Sequence, residues 1–389
     1  MPSRPYFYND KFMISVIIPT YKEVENIPHI AAAVDKALSV ADMTYELIFV
    51  DDDSQDGSLE AVEALENTLP VRMLVRTDVR GLSSAVLHGI AHSKHEHIVV
   101  MDADLSHPAS AIPDMINQLK SGSSDFVVGS RYAKGGTIHE GWNLFRQINS
   151  KLPSMLVIPL TPIKDPMSGF FAFRRKELPP SDRLSPIGYK IGLEIYVKGQ
   201  FTKPTETPIH FSERKFGESK LSFKEQLYFL RHLRRLYQHR YPTWTEFFQF
   251  GLVGSTGVVI DLAIYLAVQA IFSIDHKTAR AYSFVGAASW NWALNRLITF
   301  THRQKMSKRI QLPAFLLTSS LGFSVNWGSY VMMTTYVPFF DENRILALLI
   351  GVLLGMGLNF MAARLFVFRP FEKIIQSEDA AARNRQTRD

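Results

Sequence analysis

Four apolar stretches, each longer than twenty residues, follow one another between residues 247 and 368, and no other feature limits the possible folds so strongly. They run over 247–272, 279–300, 313–337 and 345–368. A bilayer core of ~30 Å needs about 20 residues of α-helix at ~1.5 Å each, so every stretch is long enough to cross. The alternative is a set of buried helices in a soluble domain. Four in succession would need a polar surface that this part of the chain does not supply. The preceding 245 or so residues have a different character, with short apolar runs separated by polar, helix-patterned segments.

The four stretches form two similar pairs. Asn291, Arg296 and Phe300 in the second have the spacing of Asn359, Arg364 and Phe368 in the fourth. Phe250, Gly257 and Asp261 in the first match Phe315, Gly322 and Asn326 in the third. Two matches in the same order indicate a duplicated helical hairpin, a parallel internal repeat. Lys and Arg are concentrated before the first stretch (Arg231, Arg234, Arg235, Arg240), between the second and third (Arg303, Lys305, Lys308, Arg309) and after the fourth (Arg369, Lys373, Arg383, Arg385, Arg388). The positive-inside rule then predicts four spans with both termini in the cytoplasm. Asp261, Asn291, Asn295 and Asn326 are polar within apolar spans; they read either as functional groups or as interhelical hydrogen-bonding groups. Arg296 and Arg364 read as snorkelling residues near span ends.

The first part of the chain reads as α/β. Residues 14–19 (ISVIIP), 45–50 (YELIFV), 97–101 (HIVVM) and 126–128 are continuous apolar runs suited to buried parallel strands. Helical patterns lie between them at about 27–38, 58–66, 83–92 and 111–120. This alternation predicts a mostly parallel, Rossmann-like sheet covered on both faces, with ligands at the carboxyl ends of the strands. The chain has no cysteine, which excludes disulfides, thiolate metal sites and cysteine nucleophiles. Its net charge of +6 is modest, and the basic residues adjoin apolar segments, which points to a membrane surface and not to nucleic acid.

Two acidic clusters sit where such a sheet binds ligands. Asp102 and Asp104 follow HIVVM, and Asp51, Asp52 and Asp53 follow YELIFV. Carboxylates at i and i+2 beyond a strand can converge on a hard cation, Mg²⁺ or Mn²⁺, shared with substrate phosphates. Asp104 with Ser106 before Pro108 also reads as a helix N-cap. Asp56 is suited to capping the helix after Gly57, and Asp52 to contacting a nucleoside. Arg131, in Gly129-Ser130-Arg131-Tyr132, suits a phosphate or a surface ion pair. The apolar run 152–160 suits a membrane interface.

These segments together resemble the family 2 glycosyltransferases with the GT-A fold. The resemblance rests on Pro19-Thr20-Tyr21-Lys22-Glu23, the run from Val50 to Gly57, Gly81-Leu82-Ser83-Ser84-Ala85 and Asp102-Ala103-Asp104. The chain is similar in particular to dolichol-phosphate mannose synthases, through the run from Asp102 to Pro108, Gly129–Tyr132, the run from Asp165 to Phe171 and Gly217-Glu218-Ser219-Lys220. The apolar region resembles GtrA-like domains.

The resemblance implies a nucleotide-sugar pocket of Pro19, Tyr21, Glu23, Asp52, Asp102, Asp104, Arg214 and Lys220. It implies a metal held by Asp102, Asp104 and Ser106, although several relatives have Gln where Ser106 stands. A lipid-phosphate site would comprise Arg131, Arg146 and Ser150, and the catalytic set Asp104, Arg131, Arg214 and Lys220. The expected donor is GDP-mannose, with UDP-glucose as the alternative, and the expected acceptor is dolichyl or polyprenyl phosphate. A non-catalytic lipid-binding or translocating protein is the contrasting reading. The expected organisation is a catalytic domain over 1–221, a basic juxtamembrane segment over 222–246, a four-helix transmembrane domain over 247–369 and a polar tail over 370–389.

Overall fold

The computed structural model describes residues 13–138, 153–185, 187–188, 190–211, 223–303 and 306–369. Arg146, Ser150, Arg214, Lys220 and the polar tail lie outside these described residues. The chain divides into two compact units, Met1–Arg240 and Tyr241–Asp389.

The first unit is built on a seven-stranded sheet. Its strands are β1 (Met13–Thr20), β2 (Thr44–Asp51), β3 (Val71–Val75), β4 (His97–Val100), β5 (Phe126–Ser130), β7 (Phe171–Arg174) and β8 (Pro204–Pro208). A two-stranded ribbon pairs β6 (Thr137–Ile138) with β9 (His210–Phe211). The order in the sheet is β3-β2-β1-β4-β7-β5-β8, and only β7 runs antiparallel to its neighbours. The expected Rossmann-like GT-A architecture is thus present, with one reversed strand inserted beside β4.

Alternation along β1 shows how the sheet is covered. Ile14, Val16 and Ile18 enter one core with α1 (Ile27–Val40), α2 (Ser58–Glu66) and α4 (Ile112–Lys120). Ile17 enters the other, with α3 (Leu82–His92) and α5 (Ile191–Lys198). Burial on both faces explains why these strands read as unbroken apolar runs. Helix α6 (Phe223–Arg240) belongs to this unit: Leu233 and Leu236 pack on Val157, Leu160, Met167, Leu193 and Val197. In the apolar run before it, suited by sequence to a membrane interface, Val157 and Leu160 enter this core while Met155, Leu156 and Ile158 are exposed.

One buried carboxylate ties the amino end of the sheet. Glu46 accepts from Ser15 Oγ and the Lys94 N–H, both at 2.6 Å, and from Arg72 Nη2 at 3.2 Å. Burial opposes its ionisation, but these donors outweigh burial and hold the carboxyl below the ordinary glutamate range. A depressed folded-state pKa gives stability that is present above the unfolded value and disappears as pH falls through the folded one. Glu46→Gln should therefore cost about 1–3 kcal/mol at pH 7. Thermal melts of the two proteins should converge on acidification below about pH 4.5; a gap that stays constant with pH would refute the assignment.

The second unit is helical. Its main elements are α7 (Pro242–Phe272), α8 (His276–Leu294), α9 (Lys308–Tyr336) and α11 (Arg344–Ala362), with a short α10 (Pro338–Glu342). Two segments, Pro242–Phe272 and Arg344–Val367, are long and apolar enough to cross a membrane. The duplicated pattern has a structural counterpart. Helices α8 and α11 both run on into a π-helical turn, Asn295–Thr299 and Ala363–Val367, closed by Phe300 N–H to Asn295 O at 2.9 Å and Phe368 N–H to Ala363 O at 2.8 Å. A Cβ on Gly257 would meet the Asn291 side chain at 2.4 Å, and one on Gly322 would meet Asn359 Cβ at 2.9 Å. The repeated glycines are thus the points where each hairpin closes on its repeated asparagine.

Arg296 and Arg364, expected to snorkel, both bond to groups within the helical unit. Arg364 donates to Glu246 Oε2 at 2.7 Å and to Thr243 Oγ1 at 2.9 Å. Arg296 donates to Met306 O at 3.0 Å and also bonds Gln311 Oε1. Phe250, Phe300, Phe315, Phe360 and Phe368 form a buried aromatic cluster in the same unit.

Candidate active site at the carboxyl ends of the strands

The loops that leave β1, β2 and β4 are unusual in backbone conformation. Among the described residues, Lys22, Asp53, Gln55 and Leu105 have φ of 61°, 55°, 49° and 61°. Left-handed conformations are costly for residues with a side chain, and they concentrate where a loop must aim functional groups.

The acidic run after β2 divides its labour. Asp51 shapes the turn by accepting from Ser54 N–H at 2.8 Å and Ser54 Oγ at 2.9 Å. Asp56 accepts from the Ser58 N–H at 3.1 Å and from the Val24 N–H at 3.2 Å, while the N-cap position of α2 itself is Gly57 and not Asp56. It thereby joins the β2 loop to the β1 loop that carries Tyr21 and Glu23. Asp52 is buried, ion-paired with Arg76, and accepts from the Gly81 N–H at 2.6 Å. Arg76 lies just beyond β3 and was not singled out from the sequence. A buried acid beside YELIFV calls for such a partner, but the sequence does not indicate which arginine serves. Glu23 accepts from Asn26 Nδ2 at 2.6 Å, and Arg80 lies 5.8 Å from the Tyr21 ring centre.

The loop after β4 carries the paired acids. Asp102 is about one-third exposed, whereas Asp104 is buried. The left-handed turn at Leu105 brings Ser106 back, so that its N–H and Oγ donate to Asp104 Oδ1 at 3.1 and 2.5 Å. These bonds end within the loop, and α4 has no side-chain cap, so the N-cap reading of Asp104 does not hold. Ser106, expected as a metal ligand, orients Asp104 in this structure. The next residue, His107, is buried. Asp102, Asp104 and His107 present ligand atoms that all lie within 4.8 Å of one another. Burial pushes the His107 ring below the ordinary histidine range, against the pull of Asp102 and Asp104. Two carboxylates beside an imidazole form a donor set that could hold a divalent cation.

Gly169 backs this site and was not identified as a site residue from the sequence, although its motif was noted. A Cβ there would lie 2.6 Å from Asp102 Oδ2 and 2.8 Å from Oδ1. With Pro19, Leu82 and Val86 it lines a small cleft beside Asp102. Because the obstructing atoms end a mobile side chain, Gly169→Ala should move the Asp102 carboxylate and spare the fold. Transfer activity should fall about 10²-fold, as for other ~1 Å misplacements, with an unchanged thermal melt. Normal activity would mean that the position of Asp102 is immaterial.

Arg131 leaves β5 on a turn built by Ser130, whose Oγ accepts from Tyr132 N–H at 3.1 Å and Ala133 N–H at 3.0 Å. Its Nε and Nη2 each donate at 2.8 Å to the fully buried Asp165, whose Oδ2 also accepts the Arg131 N–H at 3.0 Å. Burial disfavours the guanidinium charge, but Asp165 outweighs it and holds Arg131 firmly protonated. This is a positioned cation, more rigid than a surface ion pair. Phe211 stands beside both groups, 5.1 Å from the Arg131 guanidinium and 5.5 Å from the His107 ring.

Comparison with known proteins matches both parts of the chain. Residues 15–178 match the model of glycosyl transferase family 2, and residues 249–368 match that of the GtrA/DPMS transmembrane domain. A dolichol-phosphate mannosyltransferase of Pyrococcus furiosus is 36% identical over 355 residues, covering 90% of this chain and 98% of that protein. One from Saccharomyces cerevisiae is 41% identical over 238 residues, covering 58% of this chain and 88% of its own. Among solved structures, a glucosyl-3-phosphoglycerate synthase from Mycobacterium tuberculosis is 17% identical, with a TM-score of 0.41, over 59% of this chain and 79% of its own. The chain is therefore a membrane protein and a glycosyltransferase, and it belongs to family 2, among the dolichol-phosphate mannosyltransferases that carry a GtrA/DPMS transmembrane domain.

Proposed function

We propose that this chain transfers mannose from GDP-mannose to dolichyl or polyprenyl phosphate, with inversion, giving a β-linked lipid-phosphate sugar. The observation that carries the reading is the relation to a dolichol-phosphate mannosyltransferase over 90% of the chain. The two strand-end acids and the buried Arg131 are in keeping with it.

Asp102 and Asp104 would hold a divalent cation, Mg²⁺ or Mn²⁺, together with the donor diphosphate. The cation would supply Lewis-acid neutralisation of the departing nucleoside diphosphate. Pro19, Tyr21, Glu23 and Asp52 would border the nucleoside. Arg131, held by Asp165, would fix the acceptor phosphate with Arg146 and Ser150, while Arg214 and Lys220 would meet the donor diphosphate. A phosphate monoester has a second pKa of ~6 and is largely dianionic at pH 7, so the acceptor oxygen needs no general base. The protein's main task is alignment of two anions that repel each other. Attack opposite the leaving diphosphate inverts the anomeric centre.

The apolar segments over 247–369 would cross the bilayer four times, with the catalytic unit and both termini in the cytoplasm. The test is a donor panel with purified full-length protein and a short polyprenyl phosphate, read by product mass and anomeric configuration. A hexosyl product from GDP-mannose with a β linkage is expected. Product from UDP-glucose alone would reassign the donor, and an α linkage would overturn the inverting displacement.

A further inference from the structure

His107 is a buried side chain beside the paired acids. It is 4% exposed, and its Nδ1 has no hydrogen-bond partner among the described residues. A buried polar atom without a partner is costly and calls for a reason. The ring cannot easily turn away, because it packs on Phe170 and Phe211 with centroids 5.4 and 5.5 Å away. Nδ1 lies 3.7 Å from Asp102 Oδ2. Donors bonded to one cation at about 2.1 Å can lie at most about 4.2 Å apart. The atoms of Asp102, Asp104 and His107, now all within 4.8 Å of one another, would need to draw together to share one cation.

We propose that His107 supplies the third protein ligand of the divalent-cation site, through a ring nitrogen, in place of the Ser106 hydroxyl. The inference rests on the reading of Asp102 and Asp104 as a cation site and names what completes it. Ser106 Oγ is turned to Asp104, 2.5 Å away, and so shapes one carboxylate. His107 offers a nitrogen facing the same space. One consequence is selectivity. Imidazole suits Mn²⁺ better than Mg²⁺, which prefers an all-oxygen shell. The site should therefore favour Mn²⁺, and His107 should be the cause.

The experiment uses full-length protein in detergent with Mn²⁺ and inorganic pyrophosphate, a nitrogen-free stand-in for the donor diphosphate. Pulsed EPR of the bound Mn²⁺ should show directly coordinated nitrogen, and labelling histidine with ¹⁵N should change that signal to the ¹⁵N pattern. His107→Gln should remove it and weaken Mn²⁺ binding on the order of 10–100-fold, with a smaller loss for Mg²⁺ measured by competition. If His107 instead only donates a hydrogen bond to Asp102, bound Mn²⁺ will show no histidine nitrogen, and the inference fails while the acidic site stands. If no Mn²⁺ binds at all, the cation reading of Asp102 and Asp104 fails with it. If His107→Gln does not fold, His107→Asn takes its place, because the labelled wild-type spectrum alone shows a histidine ligand without saying which of the 12 it is.

Discussion

Asp104→Asn should abolish sugar transfer while leaving the protein folded. The substitution keeps an oxygen that can accept the Ser106 N–H and Oγ bonds now made to Oδ1. It removes the negative charge that, on the proposed reading, would help hold a divalent cation and a donor diphosphate together. Loss of that charge stabilisation, ~4 kcal/mol in the transition state, corresponds to about 10³-fold in rate. A purely loop-shaping role would survive the change. The two roles therefore separate cleanly. Rate and Mn²⁺ binding fall together if Asp104 is a ligand, whereas neither moves if it shapes the loop alone. The thermal melt should shift little, because the hydrogen bonds of Asp104 close within its own loop. Retention of more than a tenth of the wild-type rate would remove Asp104 from the reaction.

Position within the sheet made that residue legible. The runs ISVIIP, YELIFV and HIVVM are buried on both faces, and their carboxyl ends carry the acids. The strands hidden from pattern reading are those that lack such burial or break the alternation. β3 (VRMLV) is half-buried at one edge, β8 (PTETP) is polar at the other, and β7 reverses direction inside the sheet. Partners at long sequence separation were hidden too. Arg76 on Asp52, Asp165 on Arg131 and Gly169 behind Asp102 each come from a different strand or loop, and only the folded sheet brings them together. His107 went unnoticed for a local reason. A histidine before proline inside an acidic loop gives no periodic signal, and only its burial and direction distinguish it. In the helical unit the repeat was legible as spacing, but the ion pairs were not. Arg296 and Arg364 look alike in sequence and meet different acceptors, Gln311 and Glu246.

Glu246 is a buried carboxylate that joins several elements of the helical unit. Its carboxylate is fully buried and accepts from Arg303 Nε at 2.8 Å and Nη2 at 2.7 Å, Arg364 Nε at 2.7 Å and His302 Nε2 at 2.9 Å. Arg303 also donates to the carbonyls of Arg364 and Phe368 at 3.2 and 3.1 Å, tying the end of one repeat to the end of the other. In the register that matches Phe250 to Phe315, Glu246 corresponds to Gln311. Gln311 is equally buried and faces a single arginine, Arg296, so a neutral amide suffices there. Glu246 faces two arginines, one of them itself buried, and must be charged. Glu246→Gln should therefore leave uncompensated cations and destabilise the unit by ~3–5 kcal/mol, the usual result of removing one partner from a buried pair. The cost would be read as a lower unfolding midpoint in mild detergent. Combining it with Arg303→Met and Arg364→Leu should recover most of the loss, since a buried charge network can often be replaced by apolar packing. An unshifted midpoint for Glu246→Gln would mean that water reaches the cluster. A triple variant no better than the single one would mean that the arginines hold the π-helical ends through their carbonyl bonds, independently of the acid.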